Sequence, residues 1–140
     1  MNPELLAEIQ QAASVAALRH IYGDEPFPRA EVLERWRTST DTILLDEDEL
    51  GFAAVSPGWL NGLYVRPEAW GTGVAARLHE RALAALGPGI ARLWVLEDNH
   101  RARRFYERFG FEIVGKYDFM VGTHADEDLI LRHIIMQAHS

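Results

Sequence analysis

Between residues 42 and 65, three short runs of strand character (42–45, 50–55 and 59–65) are separated only by the acidic turn 46–49 and by Pro57-Gly58. Turns that short join antiparallel neighbours, because a parallel connection needs a crossover of roughly a dozen residues or more. The next stretch supplies such a crossover. Val74, Leu78, Ala82 and Ala85 recur at helical spacing over 73–86, Gly87-Pro88-Gly89 stops the helix, and the apolar run 90–96 reads as a strand buried on both faces. A helix over 99–109, closed by Gly110, precedes runs 111–121 and 129–134, which read as an antiparallel pair. Upstream, Leu5, Ile9, Ala12 and Ala16 mark an amphipathic helix over 3–20. A breaker-rich loop from Gly23 to Pro28 follows, and Pro28 opens a helix carrying Val32, Leu33 and Trp36 to about residue 38. The fold class is α+β (mixed α/β): a central mixed, mostly antiparallel sheet flanked by helices.

With 140 residues, the chain is expected to form one domain over 1–140 with its own core. A hydrophobic share of 48% and a charged share of 25% suit a soluble globular protein. No run reaches the ~18 apolar residues of a membrane span, and the first residues lack a signal peptide's basic-then-apolar order. A cytoplasmic protein without a membrane partner is expected. The lack of cysteine excludes disulfides, zinc–thiolate sites and thiol nucleophiles. His20, His79, His100, His124, His133 and His139 show no close ligand spacing, so no metal is expected. The net charge of −7 is unevenly spread: residues 61–110 hold eight arginines against five carboxylates, a net +3, leaving −10 elsewhere. That balance argues against nucleic acid, whose phosphates must be neutralised over a wide basic face. It suits one small polyanion held centrally, although a scatter of solvated surface charge explains it as well.

Two segments carry chemistry. In Leu63-Tyr64-Val65-Arg66-Pro67-Glu68-Ala69-Trp70-Gly71-Thr72-Gly73-Val74-Ala75-Ala76 a strand ends, a short loop crosses over and glycines open a helix. Amides in the first helical turn lack internal partners and carry the positive end of the macrodipole, which favours a phosphate. Gly71 and Gly73 permit positive φ, and the small Ala75 and Ala76 allow close approach. A plain glycine turn fits the same residues. In the second segment Asn99 and Tyr106 stand seven apart, almost two turns, on one side of a helix. Phe105 and Phe109 are placed to pack on the core, leaving Tyr106 at the rim with its hydroxyl toward a cleft. Taken singly, Asn99 reads as a helix N-cap and Tyr106 as a half-buried aromatic.

Together the segments resemble those of the GNAT (Gcn5-related) N-acetyltransferases, across roughly residues 51–134. Val65-x-Pro67 followed by Gly71-x-Gly73-x-Ala75 is similar to the family's acetyl-CoA pyrophosphate loop. Asn99-x-x-Ala102-x-x-Phe105-Tyr106-Glu107-x-x-Gly110-Phe111 is similar to its second signature. The resemblance implies transfer of an acetyl group from acetyl-CoA, as co-substrate, to a small-molecule or peptide amine by direct attack in a ternary complex. It implies that Leu63, Tyr64 and Val65 border the thioester, with a backbone N–H polarising its carbonyl. Gly71, Thr72, Gly73, Val74, Ala75 and Ala76 would hold the pyrophosphate through their amides, Asn99 the pantetheine region, and Tyr106 would face the departing sulfur. The strands ending at Val65 and Leu96 would splay to admit the pantetheine arm. Two positions depart from the pattern. Trp70 stands where the loop usually begins with Arg or Gln, and the chain opens on a helix where the family opens on a strand, so that the first strand is missing or irregular.

The attacking amine must be neutral. At pH 7 a lysine-type amine (~10.4) is ionised by about 10³, an α-amine (~7.7–8.0) far less, so an α-amino or aromatic acceptor asks least of a base. Glu97 is the best-placed base, and at ~4.3 an unshifted carboxylate is a feeble one. Proton transfer from a phenol (~10) to a thiolate (~8.5) is uphill by ~2 kcal/mol. Tyr106 therefore reads as a hydrogen-bond donor to the leaving sulfur. Two other readings fit parts of the chain. Gly71-x-Gly73-x-x-Ala76 formally matches a dinucleotide fingerprint, but residues 66–70 intervene between strand and first glycine, and hairpins precede it. A non-catalytic CoA-binding module would keep the loop without the chemistry. On the acceptor side the candidates are Asp24, Glu25 and the 126–128 cluster, with Trp36 and Trp59 as pocket walls. The last strands are where a homodimer would form.

Overall fold

The computed structural model describes residues 2–122 and 128–139. Helix α1 (Pro3–Ala17) opens on Asn2, whose side-chain oxygen accepts from the N–H groups of Glu4 and Leu5. Leu18 leaves helical geometry, and α2 (Arg19–Tyr22) runs on to Gly23, so the expected 3–20 helix is two pieces. The buried stripe of α1 is Leu6, Ala7, Ile9, Gln10 and Ala13, rotated by about a residue from the expected one, and Ala16 is exposed. The cause lies on α3 (Arg29–Thr38): the fully buried indole of Trp36 donates to Gln10 Oε1 at 2.8 Å, which obliges a polar residue to face the core.

Six strands form one sheet: β1 (Thr42–Leu45), β2 (Gly51–Ser56), β3 (Trp59–Val65), β4 (Ile90–Leu96), β5 (Glu112–Gly122) and β6 (Asp128–His139), in the order β1-β2-β3-β4-β6-β5. Every pair is antiparallel except β3–β4. The mixed, mostly antiparallel sheet is thus the expected one, and it is not the parallel, doubly wound sheet of a dinucleotide-binding oxidoreductase. No strand precedes α1 among the described residues, and β1 forms the edge of the sheet. The last hairpin folds back so that β6, not β5, lies against β4, pairing from Ile90↔His139 to Leu96↔His133. It therefore extends five residues beyond the expected 129–134.

α1 and α3 pack on one face of the sheet around Trp36, Phe52 and Ala54. On the other face α4 (Val74–Leu86) and α5 (His100–Arg108) cover Ala53, Leu60, Leu93, Ile134 and Met136. On α4, Val74, Leu78 and Ala82 face inward as expected. Ala85 is exposed, and His79 is buried in its stead. β4 is covered on one face only: Ala91, Leu93 and Val95 point to the core while Ile90 and Trp94 are exposed, Trp94 by 46%. Its apolar run, interrupted by Arg92, therefore does not signal two buried faces, because α1 packs over β2 and β3 instead. No helix among the described residues is long and apolar enough to cross a membrane.

Candidate active site

β3 and β4 run in parallel but pair at one register position, Trp59 opposite Arg92, where Arg92 N–H also donates to Gly58 O at 3.0 Å. Two residues further along β3, Asn61 is an extra residue: the partners on β2 step from Val55↔Leu60 to Ala54↔Gly62. Such a bulge bends a strand and interrupts its ladder. Asn61 is firmly held. Its Nδ2 donates to Asp41 Oδ1 (3.1 Å) and Ser56 Oγ (2.8 Å), and its carbonyl accepts from Arg35 Nη2 (2.8 Å). From there the strands part toward Val65 and Leu96, and the β3 backbone groups that would have faced β4 open onto the gap.

A cleft of about 1530 Å³ follows this gap. Leu63, Tyr64 and Val65 line one wall, Leu93 to Leu96 the other, with Gly71 and Ala75 of the glycine loop and Asn99 and Tyr106 also on its surface. A site for one drug-sized ligand spans ~300–1,000 Å³, so this one has room for an extended ligand and a second molecule beside it.

The loop is organised by its backbone. Gly71 (φ 79°) and Gly73 (φ 92°) both hold the left-handed conformation, and Gly73 is the N-cap of α4 without a side-chain cap. The first amides of α4 are thereby left without side-chain acceptors. A Cβ added at Gly71 would meet nothing within 4 Å, so the space above the loop is open. Thr72 and Val74 contribute no side chain to the cleft: the Thr72 hydroxyl donates to Ala69 O, and Val74 packs with Val65 and Leu78 in the core. Gly73 and Ala76 likewise stand outside the cleft lining.

On α5, Asn99 is the N-cap, its Oδ1 accepting from Ala102 N–H at 3.3 Å. The cap occupies the oxygen, so Nδ2 is what Asn99 offers a ligand. Tyr106 is not at the rim. It is 8% exposed and packed among Phe105, Phe111 and His79, with ring centroids 5.3, 5.5 and 6.2 Å away. Phe109, expected in the core, is exposed by 43%, because it is the C-cap and the chain turns away there. Burial, reinforced by the neighbouring Tyr64 phenol, pushes the Tyr106 hydroxyl well above its ordinary pKa. It stays protonated wherever the protein is folded near neutrality, which makes it a donor.

Other expected residues lie elsewhere. Glu97 is outside the cleft lining, its carboxylate paired with Lys116 Nζ at 3.1 Å. Trp36 is sealed in the core, and Trp59 stacks on Trp94 without lining the cleft. The side chains of the 126–128 cluster lie outside the described residues. No group of three or more His, Asp or Glu able to hold a metal occurs among the described residues. Conversely, Arg35 and Asn61 border the cleft without having been singled out, and so do Arg101, Arg104 and Arg108 of α5. For the three α5 arginines the signal was there, in the excess of arginine over carboxylate across 61–110.

A family model described as "Acetyltransferase (GNAT) family" matches residues 6–111. An uncharacterised N-acetyltransferase of Mycobacterium tuberculosis is 40% identical over 110 residues, which cover 73% of this chain and 70% of that protein. Two solved structures share the fold. The apo form of YjaB from Escherichia coli superposes with a TM-score of 0.70 at 22% identity, over 97% of this chain and 90% of that one. The yncA protein of Salmonella typhimurium, solved with its cofactor acetyl-CoA, gives 0.63 at 18% identity over 99% and 90%. With the family model spanning most of the chain and a relative this close, the protein belongs to the GNAT family of acetyltransferases.

Proposed function

We propose that this chain is a cytoplasmic, single-domain, acetyl-CoA-dependent N-acetyltransferase that acts on a small-molecule or peptide amine in a ternary complex. The observation that carries the reading is the gap between β3 and β4, whose surface joins the glycine loop before α4 to Tyr106. The residues suit the donor. The space over Gly71 is open, the first amides of α4 are uncapped, and the gap is lined by strand backbone rather than by a ladder. Acetyl-CoA supplies the activated carbonyl and a thiol leaving group.

Each residue then has a task. Amides of Gly71 and of 73–76 bind the diphosphate, that of Thr72 being taken by Ala69 O at 3.2 Å, and Asn99 Nδ2 donates to the pantetheine arm. A β3 amide of Leu63, Tyr64 or Val65 faces the carbonyl oxygen as charge grows there. One such donor is worth ~3 kcal/mol, or 10²–10³ in rate. Tyr106 donates a hydrogen bond to the sulfur and keeps its proton, since its raised pKa makes full transfer steeper than for a free phenol. The C–S bond breaks as the C–N bond forms, the surplus proton on nitrogen passes to solvent, and the expelled thiolate is protonated from solvent. Among the described residues the cleft carries two carboxylates, Asp41, which accepts from Asn61, and Glu107, which lies 4.0 Å from Arg103, while Glu97, off its surface, pairs with Lys116; each is already engaged by a partner. The acceptor must therefore arrive neutral, which favours an α-amine or another weakly basic nitrogen over a lysine side chain.

Thiol release from acetyl-CoA across a panel of amines, with acetylated products identified by mass, tests the reading. α-Amino and weakly basic acceptors should outrun lysine side chains at pH 7, and the difference should narrow toward pH 10. CoA binding with no transfer to any amine would leave a non-catalytic CoA-binding module, and absence of CoA binding would remove the reading altogether.

A further inference from the structure

We propose that Arg101, seated on the indole of Trp70, supplies the side-chain grip on the CoA diphosphate that the glycine loop itself lacks; this rests on the reading of the cleft as the CoA site. The loop carries Trp70 where a polar anchor is the usual residue. Trp70 Nε1 donates to Val65 O at 2.9 Å, which fixes the ring beneath the loop, next to Gly71. The Arg101 guanidinium lies 3.8 Å from the centroid of that ring, and both residues line the cleft with Gly71. A guanidinium stacked on an aromatic face still presents its N–H groups in its own plane, where they meet an oxyanion edge-on. The indole thus orients the cation instead of replacing it.

Charge around Arg101 supports an anion as the intended occupant. Arg101, Arg104 and Arg108 stand at i, i+3 and i+7, one face of α5, and all three line the cleft. None of them joins an ion pair among the described residues, whereas Arg103, on another face, lies 4.0 Å from Glu107 and donates to Glu97 O. Burial, and then the charges of Arg104 and Arg108, pull the Arg101 guanidinium below its ordinary pKa. Three like charges gathered on a cleft wall are mutually repulsive until an anion enters.

A purely structural stack between α5 and the loop makes a different prediction, so titration calorimetry on the whole chain separates the two. CoA carries the diphosphate and a ribose phosphate, dephospho-CoA only the diphosphate, and pantetheine neither. Arg101→Ala should weaken CoA and dephospho-CoA alike, by roughly 10- to 100-fold, the range for a hydrogen bond to a charged group, and leave pantetheine unchanged. Trp70→Leu, which retains the cation but removes its platform, should reproduce most of that loss. Trp70→Arg combined with Arg101→Ala should recover affinity, because the cation returns to the loop. Thermal unfolding of each variant, with Arg101→Lys alongside, checks that the fold is intact. The assignment is overturned if Arg101→Ala binds CoA as the wild type does. It is equally overturned if the loss appears with CoA but not with dephospho-CoA, since Arg101 would then serve the ribose phosphate. Wild-type protein that binds no CoA defeats the cleft reading itself, a distinct result.

Discussion

Tyr106 reaches the cleft from inside a ring cluster, and this placement decides what it can do. Its neighbours hold the phenol still and dry, so the hydroxyl is a fixed donor with a raised pKa. Tyr106→Phe should lower kcat by about 10- to 100-fold with little change in acetyl-CoA affinity, as measured by single-turnover rates beside calorimetry. Wild-type turnover with chemistry limiting would remove Tyr106 from the reaction. In the same cluster His79 is 1% exposed, lies 4.3 Å from the Phe109 ring centroid, and has a buried Nε2 without a partner among the described residues. Burial lowers its pKa below the ordinary 6.5. The unfolded chain then binds the extra proton first, and stability must decline as pH falls below about 6.5, by at most ~1.4 kcal/mol per pH unit, until the folded-state value is passed. Urea midpoints at pH 7 and pH 5 should show this fall, and His79→Leu should flatten it; an equal fall in the variant would place the titration elsewhere. The spacing of Asn99 and Tyr106 was legible because one helix fixes it. The depth of Tyr106 was not, because His79 and Phe111 arrive from outside that helix.

Elements were legible where punctuation is local. The two hairpins within 42–65, the glycine stop after α4 and the Asn99 cap follow from neighbouring residues, and each stands within a residue or two of its expected bounds. What depends on distant partners was hidden. The bulge at Asn61 requires Asp41 and Ser56 to hold its side chain, and the rotation of α1 requires Trp36 to reach Gln10. The place of β6 beside β4 leaves no mark on the short-range pattern. At this scale Gly71 gives a clean test. Its φ of 79° makes Gly71→Ala strained, a stability cost of ~1–2 kcal/mol read from the urea midpoint. The new methyl would point into open space in the free protein, and on the proposed reading of the loop it would meet the diphosphate in the complex. CoA affinity should therefore fall by much more than stability does; an affinity left intact would mean that the loop is a turn and nothing else.

For the molecule as a whole, the sheet is two ladders: β1–β2–β3 under α1 and α3, and β4–β6–β5 alongside α5. The sequence indicated a mixed sheet but not that its two halves would meet so sparingly, since β3 and β4 look like sound strands when read alone. Among the described residues Trp59↔Arg92 is the one register position that joins them. The protein thus resembles a book held at one stitch of its spine, and whatever lies between the pages must complete the binding. Amides of 61–65 and 93–96 that face the seam should exchange with deuterium quickly in the free chain and slowly with CoA present, while those bonded to β2 or β6 stay protected throughout. If every amide of β3 and β4 were equally slow without ligand, the seam would already be closed. If the contrast holds, the donor substrate is more than cargo: it supplies the rungs that the backbone omits, and the empty protein is the less finished of its two forms.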